Sequence, residues 1–312
     1  MNSIKILGVP FHFGQPHAGV KFAPEALRIN GLFSELSEIA PVADLGDIDF
    51  SLIQDTPSEL GIKNIHQVSL ANELISQCIE AEDLSDSFLL NIGGDHGMAL
   101  GTIHGLLRKN SNQVIVWADA HGDINTPDTS PSGNFHGMPL SFLLGLCTEP
   151  FSWLKETLKS NKLIFFGPRD LDQGELDIIR NHSIQYYSSK DIGIWGVDKI
   201  MSHALKKADP YGRCDIHLSF DVDLFDACDV QATGTRVKNG PEVESVMRMG
   251  EILGQTGRLK SMDLVEINPS LADSSDTEET LQLAKDFVRN TLRETFIKRI
   301  EPKVLEPINL TA

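Results

Sequence analysis

Val114-Ile115-Val116-Trp117-Ala118-Asp119-Ala120-His121-Gly122-Asp123 joins five apolar residues directly to three possible metal ligands. A short, β-branched apolar run of this kind predicts a buried parallel strand. Side chains on extended backbone alternate, so residues 119, 121 and 123 are expected to share one face. They would emerge at the carboxyl end of the strand, where open α/β sheets keep their active sites.

Two further stretches have the same grammar. Ile216-His217-Leu218-Ser219-Phe220 runs into Asp221-Val222-Asp223, and Phe88-Leu89-Leu90-Asn91-Ile92 runs into Gly93-Gly94-Asp95-His96-Gly97. The glycines allow a sharp turn that presents His96. Three converging strand ends would pool His96, Asp119, His121, Asp123, Asp221 and Asp223. Any one strand-end acid more often caps a helix or joins a surface ion pair. The six together, with no Lys or Arg inside the motifs, would repel one another strongly unless cations sat among them. Two nitrogens and four carboxylates can hold two divalent ions if a carboxylate bridges them, which is the donor set of a two-metal hydrolytic site. Oxygen-rich ligation with a little imidazole and no thiolate suits manganese better than copper or a structural zinc, with magnesium admissible on ligand type.

Outward from these motifs, strands are expected at 4–9, 42–45, 88–92, 114–118, 163–166, 184–187, 216–220 and 262–267. Helical patterns cover 23–36, 62–81, 99–109, 197–207, 241–254 and 276–298, and Ser275 with Glu278 reads as a capping box for the last. The alternation predicts an α/β fold: a single three-layer domain over 1–312, with a parallel sheet of about eight strands and helices on both faces. The loop 46–60 leads into the second of these long helices. The loop 124–137 is polar, long for a connection, and leaves directly from the candidate ligands, which marks it as functional.

The chain has 312 residues, 41% hydrophobic and 23% charged, a globular composition without an apolar run long enough to span a membrane. A net charge of −17 argues against nucleic acid or an anionic membrane as partner and is compatible with a cationic substrate. Cysteines 78, 147, 214 and 228 show no C-x-x-C spacing, so free thiols and a cytoplasmic location are expected. The start, Met1-Asn2-Ser3-Ile4-Lys5-Ile6, lacks the pattern of a signal peptide.

Five ordered motifs carry a resemblance: Gly93-Gly94-Asp95-His96, Asp119-Ala120-His121-x-Asp123-Ile124-Asn125, Ser132-Gly133-Asn134-x-His136-Gly137, Ser219-Phe220-Asp221-Val222-Asp223 and Glu266-Ile267-Asn268-Pro269. Over nearly its whole length the chain resembles the ureohydrolase family, and within it the arginases more than the agmatinases. The resemblance implies an arginase-like fold and two Mn2+ per chain. One ion would take His96, Asp119, Asp123 and Asp221, the other His121, Asp119, Asp221 and Asp223. It further implies hydrolysis of L-arginine to L-ornithine and urea by a metal-bridging hydroxide that Asp123 orients, with His136 as proton shuttle and Glu266 pairing with the guanidinium. Asn125, Ser130, Ser132, Asp172 and Glu175 match positions that hold the α-amino-acid end of the substrate, and Thr235 is retained. Agmatinase or another guanidino-acid hydrolase, and a non-catalytic metal-binding relative, are the alternatives. Homotrimers or homohexamers are the implied assemblies.

Three positions depart from the family pattern. Gly97 stands where serine is usual, and Asp226-Ala227-Cys228 lacks a usual proline. Arg236 and Lys238 occupy a segment that is usually apolar, where cations turned inward would repel a guanidinium.

Overall fold

The computed structural model describes residues 1–54 and 61–297. In chain order the regular elements are β1 (Ser3–Val9), α1 (Ala23–Ile29), α2 (Leu32–Ser37), β2 (Val42–Asp47), α3 (Ile65–Ala81), β3 (Ser87–Gly93), α4 (Ala99–Lys109) and β4 (Gln113–Ala118). There follow α5 (Pro139–Leu143), β5 (Leu163–Gly167), α6 (Gln173–Asn181), β6 (Gln185–Ser188), α7 (Ser189–Trp195), α8 (Val197–Ala208), β7 (Asp215–Asp221), α9 (Val243–Gln255), β8 (Leu259–Val265) and α10 (Ser274–Phe296).

All eight strands join one parallel sheet in the order β2-β1-β3-β8-β7-β4-β5-β6. Both faces are covered, as an all-parallel sheet requires. Strand residues such as Ile6, Leu90, Val116 and Leu218 pack with α1, α2 and α7 to α10. Their neighbours Leu7, Leu89, Ile115 and Trp117 pack on the other face with α3 to α6. The four central strands β3, β8, β7 and β4 lie side by side, so the loops leaving their carboxyl ends meet over the middle of the sheet.

Several local expectations are corrected. The helical pattern over 23–36 is two helices, because Gly31 takes φ +83° between them, a conformation open chiefly to glycine. The helix expected from 62 begins at Ile65, after Asn64 in a left-handed conformation. The helix expected at Pro241 begins at Val243. The last helix is capped not by Ser275 but by Asp273, which accepts from the Asp276 N–H; position 298 of that expectation lies outside the described residues, as do 55–60 of the loop 46–60. Helices α6 and α7, each opened by a capping box, carry too few apolar positions to stand out by periodicity. Among the described residues no helix is long and apolar enough to cross a membrane, and all four cysteines are free.

Candidate metal centre and substrate pocket

The stretch after β4 is not a continued strand. Regular pairing stops at Ala118, and residues 119–123 form a compact turn in which Asp123 has φ +50°. Asp119 Oδ1 accepts from the His121 N–H at 2.7 Å, which folds the segment back on itself. The three side chains therefore meet through a turn rather than through strand alternation. The second pair behaves alike: Asp221 ends β7, and Asp223 sits in the 3-10 turn Val222–Leu224, its N–H donating to Asp221 Oδ1 at 2.8 Å. His96 arrives from the turn after β3. Gly94 is obligatory there, since a Cβ would fall 1.6 Å from the Phe11 carbonyl oxygen.

These turns bring all six candidate ligands together. His96 Nδ1 lies 2.8 Å from Asp119 Oδ2, 3.2 Å from Asp123 Oδ2 and 3.3 Å from Asp221 Oδ2. His121 Nδ1 lies 3.3 Å from Asp119 Oδ1 and 3.1 Å from Asp223 Oδ2. Two groups result, His96–Asp119–Asp221 and Asp119–His121–Asp223, each with ligand atoms within 4.8 Å of one another and with Asp119 common to both. Asp221 falls in the first group only, and Asp123 stands beside it.

The donor set fits divalent cations on a direct observation. His96 Nδ1 is buried without a hydrogen bond although three carboxylates surround it, while its Nε2 is already engaged by the Ser219 hydroxyl at 2.9 Å. Trp117 stacks on the same imidazole, 3.8 Å between centroids and 8° between planes, and its indole N–H donates to Asp119 Oδ2 at 3.2 Å. A buried nitrogen locked to face several carboxylates without bonding them is arranged for a metal ion, and the Ser219 bond is the outer contact that fixes such a ring.

The electrostatics carry the same message. Burial, then Asp223 and Asp119, push Asp221 well above the usual carboxylate range. Burial and Asp119 push Asp123 up to about 6. Burial alone would lower His96 and His121, yet the surrounding carboxylates raise both well above 6.5. Protonation is how the cluster tolerates itself when no cation neutralises it.

Beyond this floor a cavity of about 260 Å³ opens, lined among others by His121, Asp123, Asn125, Ser130, Ser132, His136, Asp170, Asp172, Glu175, Asp221 and Thr235. A larger cavity of about 520 Å³, around Tyr186, Tyr187 and Trp195, carries none of the motif residues. The Thr235 hydroxyl donates to Asp223 Oδ2 at 2.9 Å. Asp172 caps α6 and accepts from the Asn125 amide at 2.7 Å, while Glu175 accepts from the backbone N–H of Asp172 and of Ile124. Burial and nearby Asp123 raise Glu175 to about 8. Ser130 Oγ accepts from the Gly133 N–H and Ser132 Oγ from the Asn134 N–H, which leaves each hydroxyl a proton to donate.

Glu266 is 1% exposed and is not among the residues lining the cavity. Its Oε1 accepts from the His96 N–H at 2.9 Å and lies 3.1 Å from His136 Nδ1, and Gln15 donates to its Oε2. Burial would lower His136, but Glu266, then Asp123 and Asp95, raise it to about 9. Asp95, buried between the N–H groups of Gly14 and Gly97, is itself raised to about 8 by burial and by Glu266.

Gln15, Asp95, Trp117 and Ser219 are thus parts of the site that sequence reasoning assigned no role. Asp95 and Ser219 stand inside the quoted motifs, and Trp117 lies two residues before Asp119, but only the fold shows what they touch. The departures also find their places. A Cβ at Gly97 would come within 2.8 Å of Asp95 Oδ1 and within 3.1 Å of the Phe135 and Phe11 rings, so glycine is matched to its surroundings. Asp226 ties its own loop by accepting from the Cys228 and Gly240 N–H groups. Arg236 and Lys238 are exposed, and the Arg236 guanidinium donates to Gln231 instead of entering the cavity.

Comparison with known proteins finds relatives over nearly the whole chain. The family described as "Arginase family" matches residues 2–293. Human mitochondrial arginase-2 is 38% identical over 306 residues, covering 95% of this chain and 86% of the relative. Among solved structures, arginase from Bacillus caldovelox superposes with a TM-score of 0.85 at 30% identity, covering 96% of this chain and 100% of that one. Arginase from Entamoeba histolytica, solved in complex with L-ornithine, superposes with a TM-score of 0.83 at 30% identity and covers 95% and 98%. With a parallel sheet delivering candidate ligands from the ends of β3, β4 and β7 and a match of this extent, the chain belongs to the arginase family of ureohydrolases, which hydrolyse C–N bonds of amidines.

Proposed function

We infer that this protein hydrolyses L-arginine to L-ornithine and urea with two manganese ions. The observation that carries the reading is the pair of His/Asp groups sharing Asp119 at the floor of the cavity. His96, Asp119, Asp123 and Asp221 would hold one ion, and His121, Asp119 and Asp223 the other. Bound there, two divalent ions lower the pKa of water to near neutrality and so supply a nucleophile.

The chain's own residues do the rest. The anions around the floor attract a guanidinium, and Asp123 beside His96 can accept a hydrogen bond from the attacking water. Glu266 stands buried behind His136, and a guanidinium would pair with its Oε2 only by displacing Gln15. Expulsion of an amine requires a proton, and His136, charged at neutral pH because of Glu266, is the donor at hand. At the outer end, the free hydroxyl protons of Ser130 and Ser132 suit a carboxylate, and Asp172 with Glu175 suits an ammonium. That combination favours an α-amino acid over agmatine, which would leave the donors unpaired. The L-ornithine in the Entamoeba histolytica arginase complex is a ligand of this class.

The test is urea release from manganese-loaded protein with L-arginine, agmatine and 4-guanidinobutyrate at equal concentration. Release from arginine alone is the expected result. Preference for either analogue would overturn the assignment of Asn125, Ser130, Ser132 and Asp172. No urea from any of them would remove the activity.

A further inference from the structure

Arg169 lies just past β5, outside every motif discussed above, and its guanidinium bonds only backbone carbonyl oxygens. Nη2 donates to the carbonyls of Asp223, Phe225 and Val237, each at 2.9 Å. Nη1 donates to Leu224 at 3.1 Å and, more weakly, to Gly167 at 3.5 Å, and Nε donates to Lys238 at 3.2 Å. Among the described residues no ion pair joins it to a carboxylate. Its own backbone N–H and that of Asp170 both donate to the Ala120 carbonyl, at 2.8 and 3.0 Å. One half-buried side chain therefore ties together the loops after β5 and β7 and the segment 237–238, and its backbone ties them to the turn after β4.

All of these connections lead to one half of the metal centre. The loop after β7 carries Asp223. The neighbouring segment begins at Thr235, whose hydroxyl donates to Asp223 Oδ2. Ala120, held from behind by the loop after β5, directs its N–H toward Asp223 Oδ1 at 3.3 Å and precedes His121. The His96 half has no hydrogen bond to Arg169; Trp117 and Ser219 hold it. Only arginine has the planar fork needed to serve so many carbonyls at once, whereas lysine offers three donors from a single nitrogen.

We propose that Arg169 is a positioning residue for the His121–Asp223 half alone: by fixing the Asp223 backbone it sets the affinity of the second divalent-ion position and leaves the His96 position unchanged. This rests on the two-ion reading above. The selectivity follows from where the carbonyls lie, since loss of the fork frees the loop bearing Asp223 while β3, β4 and the stacked His96 stay in place.

The experiment is a calorimetric titration of manganese into metal-free protein, with electron paramagnetic resonance to distinguish isolated from paired ions. Wild type should take up two ions per chain. Arg169→Lys should bind the first with wild-type affinity and the second at least about tenfold more weakly, so that isolated manganese dominates at one to two equivalents. Arg169→Gln should shift the same position in the same direction. Arg258→Lys, which alters an arginine bonded to Asp209 and the Cys214 carbonyl before β7, should change neither. If wild type binds two ions and the Arg169 variants weaken both equally, weaken the first, or weaken neither, the positioning role is overturned while the two-ion reading stands. If wild type binds fewer than two, both fall together.

Discussion

The inner and outer ends of the cavity are built on different principles. At the inner end, His96, Asp119, Asp221 and Asp223 are buried in turns that leave central strands, and stacking and hydrogen bonds from Trp117, Ser219 and Thr235 hold them. At the outer end, Ser130 and Ser132 lie on the long loop between β4 and α5, fixed by local bonds to the backbone of Gly133 and Asn134. The inner end stores electrostatic stress that a cation relieves; the serine loop of the outer end stores almost none. Chemistry thus resides where the fold is rigid and substrate choice where the chain can be altered cheaply. Substitutions should have opposite signatures at the two ends.

The largest effect is expected from Asp221→Asn. It removes a proposed metal ligand and should lower kcat/KM with arginine by about 10³-fold or more, the equivalent of several kcal/mol of lost charge stabilisation. The metal-free variant should nonetheless be more stable than metal-free wild type. Because burial and neighbouring carboxylates raise Asp221 in the folded state, its charge opposes folding. That penalty is absent below pH 3.8, grows as pH rises through the folded value, and is fully present above it. Thermal denaturation of both metal-free proteins between pH 4 and 8 measures it; a variant less stable at pH 8 would contradict the stored-stress account.

His136 stands between the two ends, and its effect should be intermediate. His136→Asn should reduce kcat on the order of 10²-fold while metal content stays at the wild-type level. In metal-free protein the pairing of half-buried His136 with buried Glu266 adds stability that is fully present below pH 6.5 and is lost as pH rises through about 9. The rise corresponds to about 3 kcal/mol. The stability difference between wild type and variant should therefore shrink from pH 6 to pH 10. A constant difference would mean that the pair is not charged.

Much of the inner end was legible because its residues sit in short ordered motifs directly after apolar runs, and the eight strands announce themselves by those runs. The reason given for the shared face of 119, 121 and 123 was wrong, since a turn with Asp123 at positive φ does the work of alternation. Trp117 reads as one more apolar strand residue, and its stacking on His96 depends on β3 and β4 being separated by β8 and β7 in the sheet, which no local pattern encodes. Gln15 is 251 residues from Glu266, and only the fold joins them. Asp172 and Glu175 matched substrate positions by motif, yet they also form the capping box of α6, so replacing either would mix specificity with helix stability.

The outer end should respond more gently. Ser130→Ala with Ser132→Ala removes two hydroxyl donors and should raise KM for arginine about tenfold, leaving kcat nearly unchanged. A fall in kcat with KM unchanged would show that the loop positions His136 instead of reading the carboxylate.

The smallest effect is expected where the sequence raised the most concern. Arg236 and Lys238 add two cations close to a site proposed for a cationic substrate, and turned inward they would oppose binding. Both side chains are exposed and neither lines the cavity, so water and salt screen them from it. What the segment contributes is backbone: the Val237 and Lys238 carbonyls receive Arg169, and the Ala227 N–H donates to the Val237 carbonyl, contacts that survive truncation of the side chains. Arg236→Ala and Lys238→Ala should therefore change kcat/KM with arginine less than about twofold at 0.15 M salt. A rise of tenfold or more in either variant would place a cation in the pocket and overturn the reading that the segment contributes backbone alone.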